Sequence, residues 1–232
     1  NLKKASIFRS FFYVMKSLSI KFCLFLFLYT NYSYAQDYTS KLNTIKKSYP
    51  HVVNNDTIHR AYFASGCFWC VEVIYESLKG VIEVNSGYSG GFTKNPTYEL
   101  VNTETTGHAE TVEIIYNPKI ISFNQLVDVY FGSQNIEQIN GQGPDNGTQY
   151  RSIIFFQNEE QRTIANNKII YLEEEFSLNV AAELYPFQKF WIGEDYHQDF
   201  KKNNKNNIYI IKVSNPRFEK FNNQFNHLIK NQ

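Results

Sequence analysis

The chain has 232 residues, of which 43% are hydrophobic, 17% aromatic and 19% charged. This composition excludes a disordered chain, a collagen-like repeat and a charge-rich coiled coil, and the length favours one domain with appendages. The formal net charge of +1 does not indicate nucleic-acid binding, and three cysteines are too few for a disulfide scaffold or a four-cysteine zinc site.

The first 35 residues differ in charge from the rest of the chain. They hold five of the 23 basic residues and none of the 22 acidic ones, which leaves the remainder with a net charge of −4. An apolar run over residues 22–29 follows basic residues, and Ser33-Tyr34-Ala35 has the small-x-small pattern of a cleavage site. We therefore predict a secretory signal peptide over 1–35 and an exported protein that is periplasmic or secreted.

Met15 is the only methionine, and we expect residues 1–14 to lie upstream of the true start at Met15. An uncleaved N-terminal anchor is the alternative to a signal peptide. Residues 36–58 are polar without a clear period and are predicted to be a linker or an arm. A folded domain is expected over 59–203, and residues 204–232, which are rich in Asn and Lys, are assigned to a C-terminal tail.

The folded domain is predicted to alternate strands, marked by short apolar or alternating runs, with helices, marked by apolar residues three and four apart. In chain order we predict a strand at 61–64, a helix at 67–79 that Gly80 ends, a strand at 81–84, a strand at 110–116, a helix that Ser122 caps, a strand at 152–157, a helix at 158–176 and a last strand at 179–184. This order indicates an α+β fold, a two-layer plait with a ferredoxin-like core, a mixed sheet and helices on one face. Residues 134–150 form a long polar loop, and loops of that length are often functional.

The strongest chemical signal is a cysteine pair at the start of the first predicted helix. Cys67 follows a strand and opens the helix, where unpaired N–H groups and the helix dipole favour a thiolate with a lowered pKa. Cys70 lies one helical turn later and can reach the first sulfur. Such a pair is typical of thioredoxin-like oxidoreductases, and two buried structural thiols or an inert disulfide are the non-catalytic alternative. Phe68 and Trp69 add an apolar wall beside the sulfur.

Six segments of the chain resemble the motifs of the A-class peptide methionine-sulfoxide reductases, in the family's order and at its spacing between Arg60 and Asn203. These segments are Gly66-Cys67-Phe68-Trp69-Cys70-Val71-Glu72, Ser86-Gly87-Tyr88-Ser89-Gly90-Gly91, Pro96-Thr97-Tyr98, Thr106-Gly107-His108-Ala109-Glu110, the run from Gly143 to Ser152, and Glu194-Asp195-Tyr196-His197-Gln198-Asp199.

The resemblance implies roles for seven residues. They are Cys67 as the nucleophile on the sulfoxide sulfur, Glu110 as the acid that protonates the departing oxygen, Tyr98 and Tyr150 as hydrogen-bond donors to that oxygen, Asp145 as the residue that orders this polar group, and Phe68 and Trp69 as contacts of the substrate methyl. A sulfoxide oxygen leaves poorly until it is protonated, so the acid should dominate the rate. Burial must therefore raise the pKa of Glu110, although an arbitrary Glu at the start of a strand is usually solvated.

No metal site and no bound cofactor are predicted. His197 has acidic neighbours in the sequence but lacks clustered partners, and His108 is interpreted as a positioning residue beside Gly107. The external reductant is expected to be a thioredoxin-type dithiol, because a sulfenic acid on Cys67 must be reduced by a second thiol.

The chain departs from the family pattern at two places. There is no cysteine after Cys70, so either Cys70 closes a Cys67–Cys70 disulfide, which we favour, or an external thiol acts directly. Gln134-Asn135-Ile136-Glu137 stands where His-Asp-Pro-Thr is usual, and Gly141 where a basic residue is common, which leaves the contacts at the pocket mouth open. The chain also lacks the B-class domain, so the resemblance implies reduction of the S epimer alone.

We therefore predict an exported enzyme, a peptide-methionine (S)-S-oxide reductase that acts on free methionine sulfoxide or on oxidised proteins. It is expected to be a monomer without nucleic-acid partners and without stable membrane association after cleavage of the signal. The alternatives are a thioredoxin-like thiol–disulfide oxidoreductase that uses Cys67 and Cys70, and a non-enzymatic exported binding module. Disulfide exchange has no need of Glu110, so Glu110→Gln distinguishes the two enzymes.

Overall fold

The structure is a computed structural model that describes residues 2–48, 50–55 and 57–230, with the side chains of residues 2–22 and 24 outside this description. The chain divides into two units at residues 41 and 42. Helix α1 (Leu2–Lys46) makes up the first unit, and its last residues, 42–46, belong to the second. Residues 36–46, which were predicted to be linker, are therefore helical. No helix in the described part of the chain combines the length and hydropathy that crossing a membrane requires. The signal peptide, with its start at Met15, stays a prediction.

The second unit is built on a mixed six-stranded sheet. The strands of the chain are β1 (His59–Ala64), β2 (Val81–Ser89), β3 (Ala109–Tyr116), β4 (Gly141–Gln142), β5 (Asp145–Asn146), β6 (Ile153–Phe156), β7 (Glu183–Pro186) and β8 (Trp191–Ile192). The sheet has the order β7-β6-β1-β3-β2-β8, and β4 and β5 form a separate hairpin. Strands β6 and β7 are parallel, and the other pairs are antiparallel.

The helices pack on one face of this sheet. After α1 they are α2 (Phe68–Glu76), α3 (Tyr98–Val101), α4 (Phe123–Gly132), α5 (Glu159–Phe176), α6 (Phe200–Asn203) and α7 (Asn215–Phe225). Because side chains alternate along a strand, Ala61 and Phe63 join the core that α2, α4 and α7 complete, whereas Tyr62 and Ala64 face a smaller cluster. That second face is covered by a loop, where Phe187 stacks on Tyr62 with ring centroids 3.8 Å apart. The predicted α+β plait is confirmed.

The helix boundaries follow local capping signals. Ser122 and Gln125 form a capping box at α4, and the side chain of Asn158 accepts the Gln161 N–H at α5, as their sequence positions predict. Helix α2 ends at Glu76, three residues earlier than predicted, and a turn leads to Gly80.

Two strands differ from their predicted extents. Strand β2 runs on to Ser89 through the glycine-rich stretch, where Gly87 pairs with both Thr111 and Ile192. A Cβ at Gly87 would lie 2.2 Å from the Trp191 carbonyl oxygen, so only glycine lets β8 approach. The strand predicted at 179–184 lies at Glu183–Pro186, and β8 follows it.

The fold continues past residue 203, where the predicted domain ends. A π-helical turn (Ile210–Ser214) leads into α7, and an isolated bridge joins Leu78 to Ile229. Phe221 and Phe225 on α7 are buried in the main core. Their helical spacing with Phe218 is visible in the sequence and is the signal that would have indicated an element of the fold here.

Candidate active site

The turn between β1 and α2 places Cys67 at the start of the helix. Gly66 has φ +78°, a conformation that favours glycine, and a Cβ there would lie 2.4 Å from Gln142 Cβ. Cys67 is the N-cap residue of α2, with φ −55° and ψ 122°, and is 6% exposed. The Cys67 side chain makes no capping hydrogen bond to the helix, so its sulfur is not tied to the backbone of the first turn.

Glu110 enters the same place from β3. It is 2% exposed, and its Oε2 accepts a hydrogen bond from the Phe68 backbone N–H at 3.0 Å. The pKa of Glu110 is raised to about 8, mainly by burial. The hydrogen bond from the Phe68 N–H opposes this shift only in part, and the charge of Asp145 adds to it. The carboxyl group is consequently protonated at neutral pH and can donate a proton.

The three other polar residues of the predicted set, Tyr98, Tyr150 and Asp145, come from different parts of the chain and lie near Glu110. Together with Glu110 they form the polar group of the site. Tyr98 begins α3, which Thr97 caps, and Tyr150 ends a 3₁₀ turn. The pKa of each tyrosine is raised by burial and then by the charge of Glu110, and the two tyrosines lie close enough to influence each other's pKa. The nearby charge of Asp145 also raises the pKa of Tyr150, as it does that of Glu110. The structure thus brings the polar residues of the predicted site together.

An aromatic wall bounds this polar group. The Phe68 ring lies 4.8 Å from the His197 ring and 6.5 Å from the Tyr98 ring, as centroid distances. Trp69 stacks on Phe200 at 3.7 Å with an angle of 7° between the ring planes. Rings held in this way form a rigid apolar surface for a small group such as a methyl.

His197 holds the wall in place, a role that the sequence alone does not reveal. Its Nδ1 accepts a hydrogen bond from Trp69 Nε1 at 3.1 Å, and burial lowers its pKa, so the ring is neutral. Glu194 accepts hydrogen bonds from the Tyr88 hydroxyl at 2.7 Å and the Tyr98 N–H at 2.9 Å. His108 is also structural, since its Nδ1 accepts the Gly91 N–H at 3.1 Å. Among the described residues no group of three metal-ligating side chains is present.

Tyr209 is the functional candidate that the sequence interpretation missed. It lies in residues 204–232, the predicted tail, yet its hydroxyl donates to Asp145 Oδ2 at 2.5 Å. Cys70 Sγ lies 3.8 Å from the same hydroxyl and can donate to it when Cys70 carries its proton. Its ring also contacts Trp69 edge-on, with centroids 5.9 Å apart. Tyr209 therefore links the second cysteine of the pair to the polar group around Glu110.

The cysteine pair is reduced, and its two thiols interact. Burial raises the pKa of Cys67, contrary to the lowered pKa that its helix position predicts, because the pocket excludes water from the sulfur. The hydrogen bond with Cys67 lowers the pKa of Cys70 to about 6 against the effect of burial, with help from the positive charge of Arg217. One proton is thus shared by the pair at neutral pH.

The loop that departs from the family pattern, which includes Gln134 and Asn135, lies beside Cys70 of the cysteine pair. Gln142 on β4 accepts the Asn135 N–H at 2.8 Å and donates to the Asn135 carbonyl at 3.0 Å, which joins the hairpin to the loop that replaces the usual family motif. A Cβ at Gly141 would lie 2.6 Å from the Asp145 carbonyl oxygen, so this hairpin has no room for the basic side chain common in the family.

Comparison with known proteins gives a consistent result. Residues 59–229 match the sequence profile of the family described as peptide methionine sulfoxide reductase. The chain is 48% identical over 161 residues to peptide methionine sulfoxide reductase MsrA of Saccharolobus solfataricus. This alignment covers 69% of this chain and 91% of the relative. It is 43% identical over 171 residues to the MsrA of Pasteurella multocida, with coverage of 74% and 98%.

Solved structures agree with these sequence relatives. Methionine sulfoxide reductase A of Corynebacterium diphtheriae is similar with a TM-score of 0.59 and 29% identity, over 68% of this chain and 83% of that one. Reduced Mxr1 from Saccharomyces cerevisiae is similar with a TM-score of 0.61 and 27% identity, over 69% and 92%. The matched region includes α7, which agrees with its place in the core.

Proposed function

Because the chain belongs to the peptide methionine sulfoxide reductase family, we propose that it reduces methionine S-sulfoxide with Cys67 as the nucleophile. The observation that carries this proposal is the buried Glu110 carboxyl, protonated at neutral pH and bonded to the first turn of the cysteine helix. A thiol–disulfide oxidoreductase needs no such acid, so the site supports sulfoxide reduction over that alternative.

The first step transfers the oxygen to the enzyme. Cys67 passes its proton to the Cys70 thiolate and attacks the sulfoxide sulfur, while Glu110 protonates the sulfoxide oxygen and Tyr98 and Tyr150 donate hydrogen bonds to it. Phe68 and Trp69 hold the methyl group. The protonated oxygen then moves from the substrate sulfur to Cys67 Sγ: the substrate S–O bond and the new bond between the two sulfurs break, an S–O bond forms on Cys67, and methionine leaves. The products are a sulfenic acid on Cys67, a neutral thiol on Cys70 and an ionised Glu110, which balances protons and charge.

The second step closes a disulfide. Cys70 gives its proton through the Tyr209 hydroxyl to Asp145, along the two hydrogen bonds of 3.8 and 2.5 Å. The Cys70 thiolate then attacks the Cys67 sulfur, and the sulfenic hydroxyl leaves as water with the proton from Asp145. Burial raises the pKa of Asp145, which suits a group that takes and returns a proton.

We further propose the setting of this reaction. A thioredoxin-type dithiol, supplied externally, reduces the Cys67–Cys70 disulfide and completes the cycle. The basic, apolar segment over 1–35 supports export to the periplasm or the medium, where a monomeric enzyme would repair oxidised proteins or free methionine sulfoxide.

A single-turnover experiment tests the proposal. The chain, reduced and then freed of reductant, is mixed separately with S- and R-methionine sulfoxide, and methionine is counted per enzyme. We expect one equivalent from the S epimer, none from the R epimer, and none from Cys67→Ser. Mass spectrometry should show loss of two hydrogens across Cys67 and Cys70. Absence of methionine from both epimers would overturn the proposal.

A further inference from the structure

A cavity borders Cys70, the second cysteine of the pair, and is not lined by the residues of the aromatic wall. It has a volume of about 590 Å³ and is bordered by Cys70, the start of the 134–150 loop, the β4–β5 hairpin, and residues between Tyr209 and Lys220. Neither Glu110 nor Phe68 borders it. Its volume is in the range of small-molecule binding sites. Because Cys70 is only 1% exposed, only a narrow ligand can reach its sulfur.

The charges around this cavity are mostly positive. Lys212, Arg217 and Lys220 border it, and the one carboxylate among its described lining residues is Asp145, already bonded to Tyr209. Among the described residues, none of the three cations forms an ion pair. A cavity with unneutralised cations concentrates anions at its floor.

Arg217 is fixed in this arrangement by neutral oxygens alone. Its guanidinium donates to the Ser133 carbonyl at 2.9 Å, the Ser65 carbonyl at 3.0 Å and the Ser65 hydroxyl at 3.1 Å. These bonds hold the charge in place without cancelling it. The positive charge therefore acts on Cys70 and on whatever approaches Cys70.

We propose that this cavity binds a small anionic thiol, of amino-acid or short-peptide size, that reduces the Cys67–Cys70 disulfide at the Cys70 sulfur. This inference rests on the proposed function and adds a second reductant to the dithiol protein. The thiolate attacks Cys70 Sγ, the S–S bond breaks, and Cys67 leaves as a thiolate that takes a proton. A second thiolate attacks the sulfur of the bound thiol, which releases Cys70 and an oxidised small disulfide.

Three thiols of similar size and different charge test this inference. The enzyme is oxidised by one equivalent of methionine S-sulfoxide and then reduced with 2-mercaptoethanesulfonate, 2-mercaptoethanol or cysteamine, with rates expressed per thiolate. We expect the anionic thiol to react on the order of tenfold faster than the neutral one, and the cationic thiol to be slower still. The rate with the anionic thiol should saturate with concentration, and about 0.5 M salt should abolish its advantage.

Variants and mapping locate the effect. Lys212→Gln combined with Lys220→Gln should reduce the difference between the three rates, with Arg217 accounting for what remains. Lys119→Gln, at an exposed lysine in the turn after β3, should change nothing. The first mixed disulfide, trapped by alkylation and mapped by mass spectrometry, should lie on Cys70.

Each failure has a distinct meaning. Equal rates for the three thiols, an unchanged preference in the double variant, or a mixed disulfide on Cys67 would overturn the inference while methionine is still formed. Loss of methionine formation itself would instead overturn the proposed function.

Discussion

The carboxyl group of Glu110 accepts a hydrogen bond from the backbone N–H of Phe68 at 3.0 Å. This bond joins β3 to the first turn of α2, so the proposed acid and the proposed nucleophile are held together by backbone geometry. The bond uses one carboxyl oxygen, and the other remains for a proton. The position of the acid is thus independent of any flexible side-chain partner.

Replacing this acid should remove most of the chemistry. Glu110→Gln keeps the size and can still accept the Phe68 N–H, but it cannot protonate a leaving oxygen. We expect the rate of methionine formation in a single turnover, measured by rapid quench, to fall on the order of 10²–10⁴-fold.

The matched control for this variant is Glu72→Gln. Glu72, on α2, is buried like Glu110, and burial raises its pKa to about 8. Its carboxyl group accepts the Asp199 N–H at 3.1 Å and does not face the polar group around Glu110. Its variant should form methionine at the rate of the unchanged chain. An equal loss in both variants would indicate a general effect of buried carboxyl groups.

The same step should have a bell-shaped pH dependence. The pKa of Glu110 is raised to about 8, so its proton is present below that value and is lost as the pH rises through it. The thiol pair loses its first proton near the pKa of Cys70, about 6, so the rate also falls below that pH. Stopped-flow rates should be highest between these limits, and Glu110→Gln should lose the alkaline limb alone.

Cys70→Ser should separate oxygen transfer from recycling. One equivalent of methionine should still form, more slowly because serine cannot take the Cys67 proton, and steady-state turnover with a dithiol protein should collapse. Dimedone should trap a sulfenic acid on Cys67 in this variant. Full steady-state turnover would show that an external thiol, and not Cys70, reduces Cys67.

Tyr209→Phe should act on disulfide closure. The variant keeps the ring that contacts Trp69 and removes the hydroxyl that joins Cys70 to Asp145. Formation of the first methionine should be unchanged, while loss of free thiols should slow about tenfold to a hundredfold, the effect of removing a charge-assisted hydrogen bond. A structural role alone would slow both phases, so the two rates are measured in the same quench series.

Helix α7 should contribute to global stability. Phe221 is buried in the main core, and Phe221→Ala should lower the free energy of unfolding by about 3–5 kcal/mol in urea titrations. Phe176→Ala, at a position 57% exposed at the end of α5, is the control and should change little. A small loss at Phe221 would mean that residues 204–232 are an appendage after all.

Local patterns predicted most of the sheet and the main helices. The capping signals at Ser122 and Asn158, the alternation in β3 and the cysteine pair are short-range features, and short-range sterics and hydrogen bonds decide them. The sequence pattern predicts this strand at 179–184 and not at the observed Glu183–Pro186, because the residues around it lack alternation. Strand β8 is only two residues long and exists because Gly87 lets it approach.

The sequence by itself determined the family and, through it, the groups proposed to react, because Cys67, Glu110 and Tyr150 stand in motifs that occur in the family's order. Only the tertiary structure decided their protonation, since the pKa of Glu110 depends on the burial that packing of β3 against α2 creates. It also decided that Tyr209, 139 residues after Cys70, lies against its sulfur. Contacts between such distant residues arise from packing of the whole core, which no local pattern records.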